Sequence, residues 1–84
     1  MNRDVAMIIF QIPKRNFSID LEVPLDITAN ELVNALNSAF DLKIDTSDIK
    51  NCYLKAVDPI ALLRGNKTLA EFGVRNNTVI GYTE

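Results

Sequence analysis

Apolar and polar positions alternate along the first quarter of the chain. In residues 5–12, VAMIIFQI, the positions Ala6, Ile8, Phe10 and Ile12 form the more uniformly apolar side, which predicts a strand. The segment PKRN, residues 13–16, is polar and begins with proline, so it predicts a turn. In FSIDLEV, residues 17–23, Ile19, Leu21 and Val23 face one way while Ser18, Asp20 and Glu22 face water. Two strands around a short turn make an N-terminal hairpin. Pro24 ends the pairing because it has no N–H to donate.

The period then changes. Thr28-Ala29-Asn30-Glu31 matches a capping box, with Ile27 and Leu32 at the two positions of a hydrophobic staple. A helix is expected to run to about Phe40, with Leu32, Leu36, Ala39 and Phe40 on one stripe and Val33 at its edge. Residues 41–51 read as a polar connection pinned by Leu42, Ile44 and Ile49. Residues 52–57, CYLKAV, predict a third strand with Cys52, Leu54 and Ala56 on one side. Asp58-Pro59 turns the chain, residues 60–63 make a short strand, and Gly65-Asn66 turns it again. Thr68-Leu69-Ala70-Glu71 repeats the capping pattern before Gly73, and Asn76-Asn77 suits a tight left-handed turn. The last strand is placed at Val79 to Tyr82. One amphipathic helix against one apolar sheet face accounts for the whole pattern.

Size and composition narrow the function. Eighty-four residues make one domain, residues 1–84, that buries only roughly 60–65% of its unfolded surface, so nearly every large apolar side chain is needed in the core. The net charge of −2 does not point to nucleic acid. It is unevenly spread, because residues 16–49 hold seven acids against Lys43 alone. That stretch is either a solvated acidic face or one that steers a protein partner. A single cysteine, Cys52, excludes an intramolecular disulfide and fits a reducing compartment. The apolar run at residues 5–10 is too short for a signal core or a membrane span, so a cytoplasmic protein with no membrane insertion is expected.

The order hairpin, helix, strand, short strand, helical turn, strand is the β-grasp arrangement: α+β, one main helix packed on a mixed four- to five-stranded sheet. "LEV" at 21–23, Thr28 five residues later and "KTLAEFGV" at 67–74 resemble ubiquitin. "IDLEVP" at 19–24, "LKAV" at 54–57 and the Leu69…Phe72-Gly73-Val74 turn resemble the YukD/EsaB family of small ubiquitin-like bacterial proteins associated with type VII secretion. The resemblance implies a non-catalytic interaction module, accessory or regulatory to that secretion system. Its partner would be a protein, a membrane-anchored component of the machinery, which places the module in the cytoplasm or peripheral to a membrane complex. A second reading is a ubiquitin-like structural subunit of a multicomponent bacterial monooxygenase.

Chemistry by side chains or tail finds little support. Ubiquitin-type conjugation and sulfur transfer need a thin Gly-Gly end, whereas Gly65, Gly73 and Gly81 are nowhere adjacent and the sequence closes Val79-Ile80-Gly81-Tyr82-Thr83-Glu84. Histidine is absent, which removes the commonest general base and metal ligand. Cys52 sits on the apolar side of its strand and reads as a buried structural thiol. No cofactor, metal or small-molecule substrate is implied, and no catalytic residue is nominated. What remains is surface. If Leu54 and Ala56 face the helix, Tyr53, Lys55 and Val57 face outward. Matching the last strand to ubiquitin puts Val79 and Gly81 inward and Ile80 and Tyr82 outward. Ubiquitin's partner-binding patch lies on that face, so Tyr53, Lys55, Ile80 and Tyr82 are the expected protein-interaction residues.

Overall fold

A computed structural model describes residues 4–45, 47, 48 and 52–82. Strand β1 (Val5–Ile12) and strand β2 (Phe17–Pro24) pair antiparallel around a single 3-10 turn at Pro13–Arg15. Asn16 closes that turn in the left-handed region at φ 50°, its N–H bonded to the Pro13 carbonyl at 3.1 Å. Helix α1 (Ala29–Phe40) follows, then β3 (Leu54–Val57), β4 (Ala61–Leu63) and β5 (Val79–Gly81). The five strands lie in the order β2-β1-β5-β3-β4, with β5 central and parallel to β1. This is the expected mixed sheet, with five strands.

The helix begins where its cap dictates. The Thr28 hydroxyl accepts the Glu31 N–H at 3.1 Å, and the Glu31 carboxylate accepts the Thr28 N–H at 3.1 Å, so the box closes both ways. Asn30 ties this end to the Gly65 turn, since its side-chain oxygen accepts the Gly65 N–H and its own N–H donates to the Gly65 carbonyl, both at 3.0 Å. At the other end the Arg15 guanidinium donates to the Phe40 and Asp41 carbonyls at 3.0 and 3.2 Å. Those are orphan acceptors of a helix C-terminus, so the hairpin turn caps the helix from outside.

Ala29, Leu32, Val33 and Leu36 are the buried helix positions. Val33 therefore lies within the buried stripe, while Ala39 is exposed because it is turned away from the face shared by Leu32, Val33, Leu36 and Phe40. They pack on Ala6, Ile8, Phe10, Ile12, Val23, Leu54, Ala56 and Leu63, the inward positions of four strands. Phe40 closes the end of the core, its ring 5.1 Å from Phe10 and 5.4 Å from Phe17. Leu42 and Ile44 are buried and anchor the connection, and Asn37 holds it through bonds to the Ile44 N–H and carbonyl at 2.9 and 3.1 Å. Ile49 lies outside the described residues.

Two expected boundaries shift. β3 starts at Leu54 and not Cys52, and β4 at Ala61, leaving Ile60 89% exposed in the turn. Thr68 caps as expected, accepting the Glu71 N–H at 3.2 Å, yet no helix follows. Gly73 at φ 84° reverses the chain after one turn, and the Val74 N–H returns to the Leu69 carbonyl at 3.0 Å.

Candidate protein-interaction surface

The register of the sheet decides which side chains are available outside. β5 sets Ile80 between Phe10 on β1 and Ala56 on β3, both inward residues. Ile80 is accordingly 0% exposed and belongs to the core. Tyr82 lies on the same side and is half-buried, packed against that core. The expectation that Ile80 and Tyr82 point outward is reversed. Tyr53 is half-buried and Lys55 exposed, so of the four expected residues Lys55 alone stands clear on the outer face.

The reversal has a local cause. Thr78 occupies the first inward position of the last segment and is 0% exposed. Its hydroxyl accepts the Arg75 N–H at 3.0 Å and donates to the Asp58 carbonyl at 2.9 Å, so a polar side chain is fully satisfied in an apolar layer. Asn77 at φ 73° makes the turn that delivers it. Thr78, Ile80 and Tyr82 then share one face, and a one-residue change in register moves every side chain to the other. The signal was present in the sequence: Ile80 is the large apolar residue of the strand and Gly81 beside it has nothing to bury.

The same register assembles a different outer surface. Ile9, Val79 and Val57 form one row across β1, β5 and β3, and Gln11, Gly81, Lys55 and Leu62 form the next across four strands. Val5 and Met7 extend the first row along β1. Val5, Met7, Val57 and Leu62 are 45–56% exposed. On β2, Glu22 and Asp20 stand directly opposite Met7 and Ile9 and border this apolar strip with negative charge. Lys55 borders it with positive charge on the other side.

Other groups have less to offer. Cys52 is buried, as expected, and its thiol pKa is raised, chiefly by burial and then by the negative charges of Asp45 and Asp48. A thiol held protonated is a poor nucleophile. A shallow open depression of about 340 Å3 at the hairpin end is lined by Gln11, Pro13, Asn16, Phe17 and Ser18, none of them an acid–base group at neutral pH. Among the described residues no group of three or more His, Cys, Asp or Glu could hold a metal ion. No helix among them is long and apolar enough to cross a membrane.

A family model described as the WXG100 protein secretion system (Wss) protein YukD matches residues 7–80. The chain belongs to the YukD family. The matched span runs from Met7 in β1 to the buried Ile80 in β5, so it takes in the helix and all five strands except Val5, Ala6 and Gly81. No curated protein matches the chain. Among solved structures, the C-terminal ubiquitin-like domain of mouse tubulin-specific chaperone e superposes with a TM-score of 0.76 at 12% identity, covering 99% of this chain and 89% of that one. A ubiquitin-like domain from tubulin-binding cofactor B gives 0.76 at 17% identity, covering 99% and 92%. The UBL domain of Plasmodium falciparum Dsk2 gives 0.59 at 16% identity, covering 93% and 97%. These likenesses establish a ubiquitin-like fold for this YukD-family chain.

Proposed function

We propose that this YukD-family protein is a non-catalytic interaction module, an accessory or regulatory component of a WXG100 (type VII) secretion system. It works in the cytoplasm by docking to a membrane-anchored component of the machinery. The observation that carries this reading is the outer sheet face. Its apolar strip of Val5, Met7, Ile9, Val79 and Val57 is continuous across three strands and bordered by charge on both sides. A contiguous apolar strip with a polar rim suits a protein partner better than scattered surface apolar residues do. Lys55 belongs to the rim and Tyr53 flanks it.

The role rests on surface and not on the C-terminus. In this reading the protein is not conjugated, since no two glycines of the 84 residues are adjacent and none of them forms the Gly-Gly pair that adenylation uses. Intact-protein mass spectrometry from native cells checks this, and a recurrent conjugate or thiocarboxylate on the protein would refute it. The family match favours the secretion reading over a monooxygenase subunit.

The decisive experiment is site-specific photo-crosslinking in cells. A photo-reactive residue at Val57 or Leu62 is expected to capture a membrane component of the secretion system, and the same residue at Asn34 on the outer side of the helix is not. Val57→Asp is expected to lower export of a WXG100 substrate without lowering the protein's abundance. Capture at Asn34 equal to that at Val57, or undiminished export by the variant, overturns the assignment.

A further inference from the structure

The two edges of the sheet differ in length. β2 stands at the end of the strand order and runs for eight residues, whereas the opposite edge strand, β4, has three. The direction of its backbone groups follows from β1. The Met7 carbonyl accepts the Asn77 N–H at 2.8 Å, the Ile9 N–H donates to the Thr78 carbonyl at 3.0 Å, and the Gln11 carbonyl accepts the Tyr82 N–H at 3.0 Å. Odd positions of β1 therefore bond towards β5, and even positions towards β2. Their partners there are Val23, Leu21, Ile19 and Phe17, which spend their backbone groups inside the pair. By alternation, Ser18, Asp20 and Glu22 aim their N–H and C=O groups out of the sheet along the open edge.

The side chains of this edge are sorted as well. On the helix side Phe17 and Leu21 are half-buried and Ile19 is 39% exposed, although all three occupy inward-facing positions. The core ends before it covers them. On the outer side Ser18, Asp20 and Glu22 are exposed.

We propose that the open β2 edge accepts an extended partner segment of alternating apolar and basic residues as a sixth strand. Residues paired with Ser18, Asp20 and Glu22 would bond to their free backbone groups and set Lys or Arg beside two carboxylates. The alternate residues would lie beside Ile19 and Leu21 and extend the apolar layer over the exposed part of Ile19. Main-chain bonds supply the attachment, and the alternating side chains supply selection. The charges also choose against one occupant. In a second copy of β2 paired to the first, Asp20 and Glu22 would face like charges, which is destabilising and is how edge strands resist self-pairing. A basic strand gains where an identical one loses.

This inference goes beyond the outer-face reading and shares with it only the acids Asp20 and Glu22, and the two can fail separately because one is read at Val57 and Leu62 and the other at the β2 amides. The probe is a capped seven-residue peptide alternating lysine and valine, with a glutamate–valine peptide as control. It is titrated into the full 15N-labelled chain and followed by amide shifts and hydrogen exchange. Slowed exchange at Ser18, Asp20 and Glu22 with the lysine peptide alone is expected, weakening with added salt. Asp20→Lys with Glu22→Lys should weaken that peptide about tenfold or more and let the glutamate peptide bind. Both positions are exposed, and the wild-type salt titration gives the same information if the double variant misfolds. The proposal is overturned by shifts confined to Met7, Val57 and Leu62, by no protection at millimolar peptide, or by affinity indifferent to charge. A concentration-dependent dimer with protected β2 amides would assign the edge to a second copy instead.

Discussion

Ile80→Ala and Val57→Ala form a paired test of the register, since the two residues lie on neighbouring strands but opposite faces. Ile80 is 0% exposed between Phe10 and Ala56, so truncation loses the transfer energy of its removed methyl groups and leaves a cavity beneath the helix. Such substitutions cost about 2–5 kcal/mol. A chain of 84 residues has roughly 4–13 kcal/mol of stability in all, so the loss is a large fraction of it. For a domain of this size 1 kcal/mol moves Tm by about 4–8 °C, so a cost near ~3 kcal/mol lowers it by roughly 12–24 °C. Val57 is 56% exposed, and its truncation should stay within about 0.5 kcal/mol, or roughly 4 °C at most. Thermal unfolding followed by circular dichroism in one buffer resolves the two. If Val57→Ala melts far below Ile80→Ala, or if Ile80→Ala melts within about 4 °C of wild type, β5 is one residue out of register and the outer strip dissolves with it.

Three buried or capping groups give further outcomes. Cys52, buried beside the core, should alkylate in native buffer at the rate of opening and not at that of a free thiol. Its raised folded pKa means that the folded state keeps a proton the unfolded state gives up. That contribution is present below the ordinary thiol pKa of about 8.5 and is lost as pH rises above it, so Cys52→Ala should flatten the alkaline fall of stability measured by urea unfolding. Thr28→Ala removes the hydroxyl of the capping box and should cost about 1 kcal/mol, read as a Tm lower by roughly 4–8 °C. Thr78→Val keeps the shape but leaves the Arg75 N–H and the Asp58 carbonyl without their partner, and a stability loss of about 1–3 kcal/mol in denaturant unfolding is expected.

Elements whose chemistry is local were legible in the sequence. The capping box at Thr28 and Glu31, the alternation of β2 and the helix stripe each depend on residues a few positions apart, and each is found where its pattern lies, except that Val33 is buried within the stripe and Ala39 is exposed. The positive-φ glycine at Gly73 ended its turn as expected, but the turn's depth depended on the Leu69 carbonyl and Val74 N–H meeting, which spacing alone does not fix. The face of β5 was not legible by the same means. It is set by Thr78, a polar residue whose burial requires a carbonyl twenty positions away at Asp58. Alternation over Thr78 to Tyr82 admits either face until that partner is known, and the candidate site inherited the error at Ile80 and Tyr82. Lys55 was placed correctly because β3 is pinned by two apolar residues, Leu54 and Ala56, which are 1% and 2% exposed.

The outer strip is informative because of what a small domain has to spare. Exposed apolar residues are ordinary when scattered, and Ile60 in its turn is such a case. Val5, Met7 and Val57 differ in being joined through Ile9 and Val79 by the register of three strands, with Leu62 one strand further out beyond Lys55. Gly81 matters here because its backbone does not demand glycine. A Cβ there would meet the Gln11 carbonyl oxygen at 3.7 Å, an ordinary contact, and its φ is not positive. Neither space nor conformation accounts for the missing side chain, and its consequence is a shallow floor between Gln11 and Lys55, beside the row of Ile9, Val79 and Val57. A flat apolar floor with acids along one margin and a lysine on the other orients what lies across it. The same acids, Asp20 and Glu22, line the open β2 edge, so a partner crossing the strip and a strand added to the edge would both be selected for positive charge where they meet that margin.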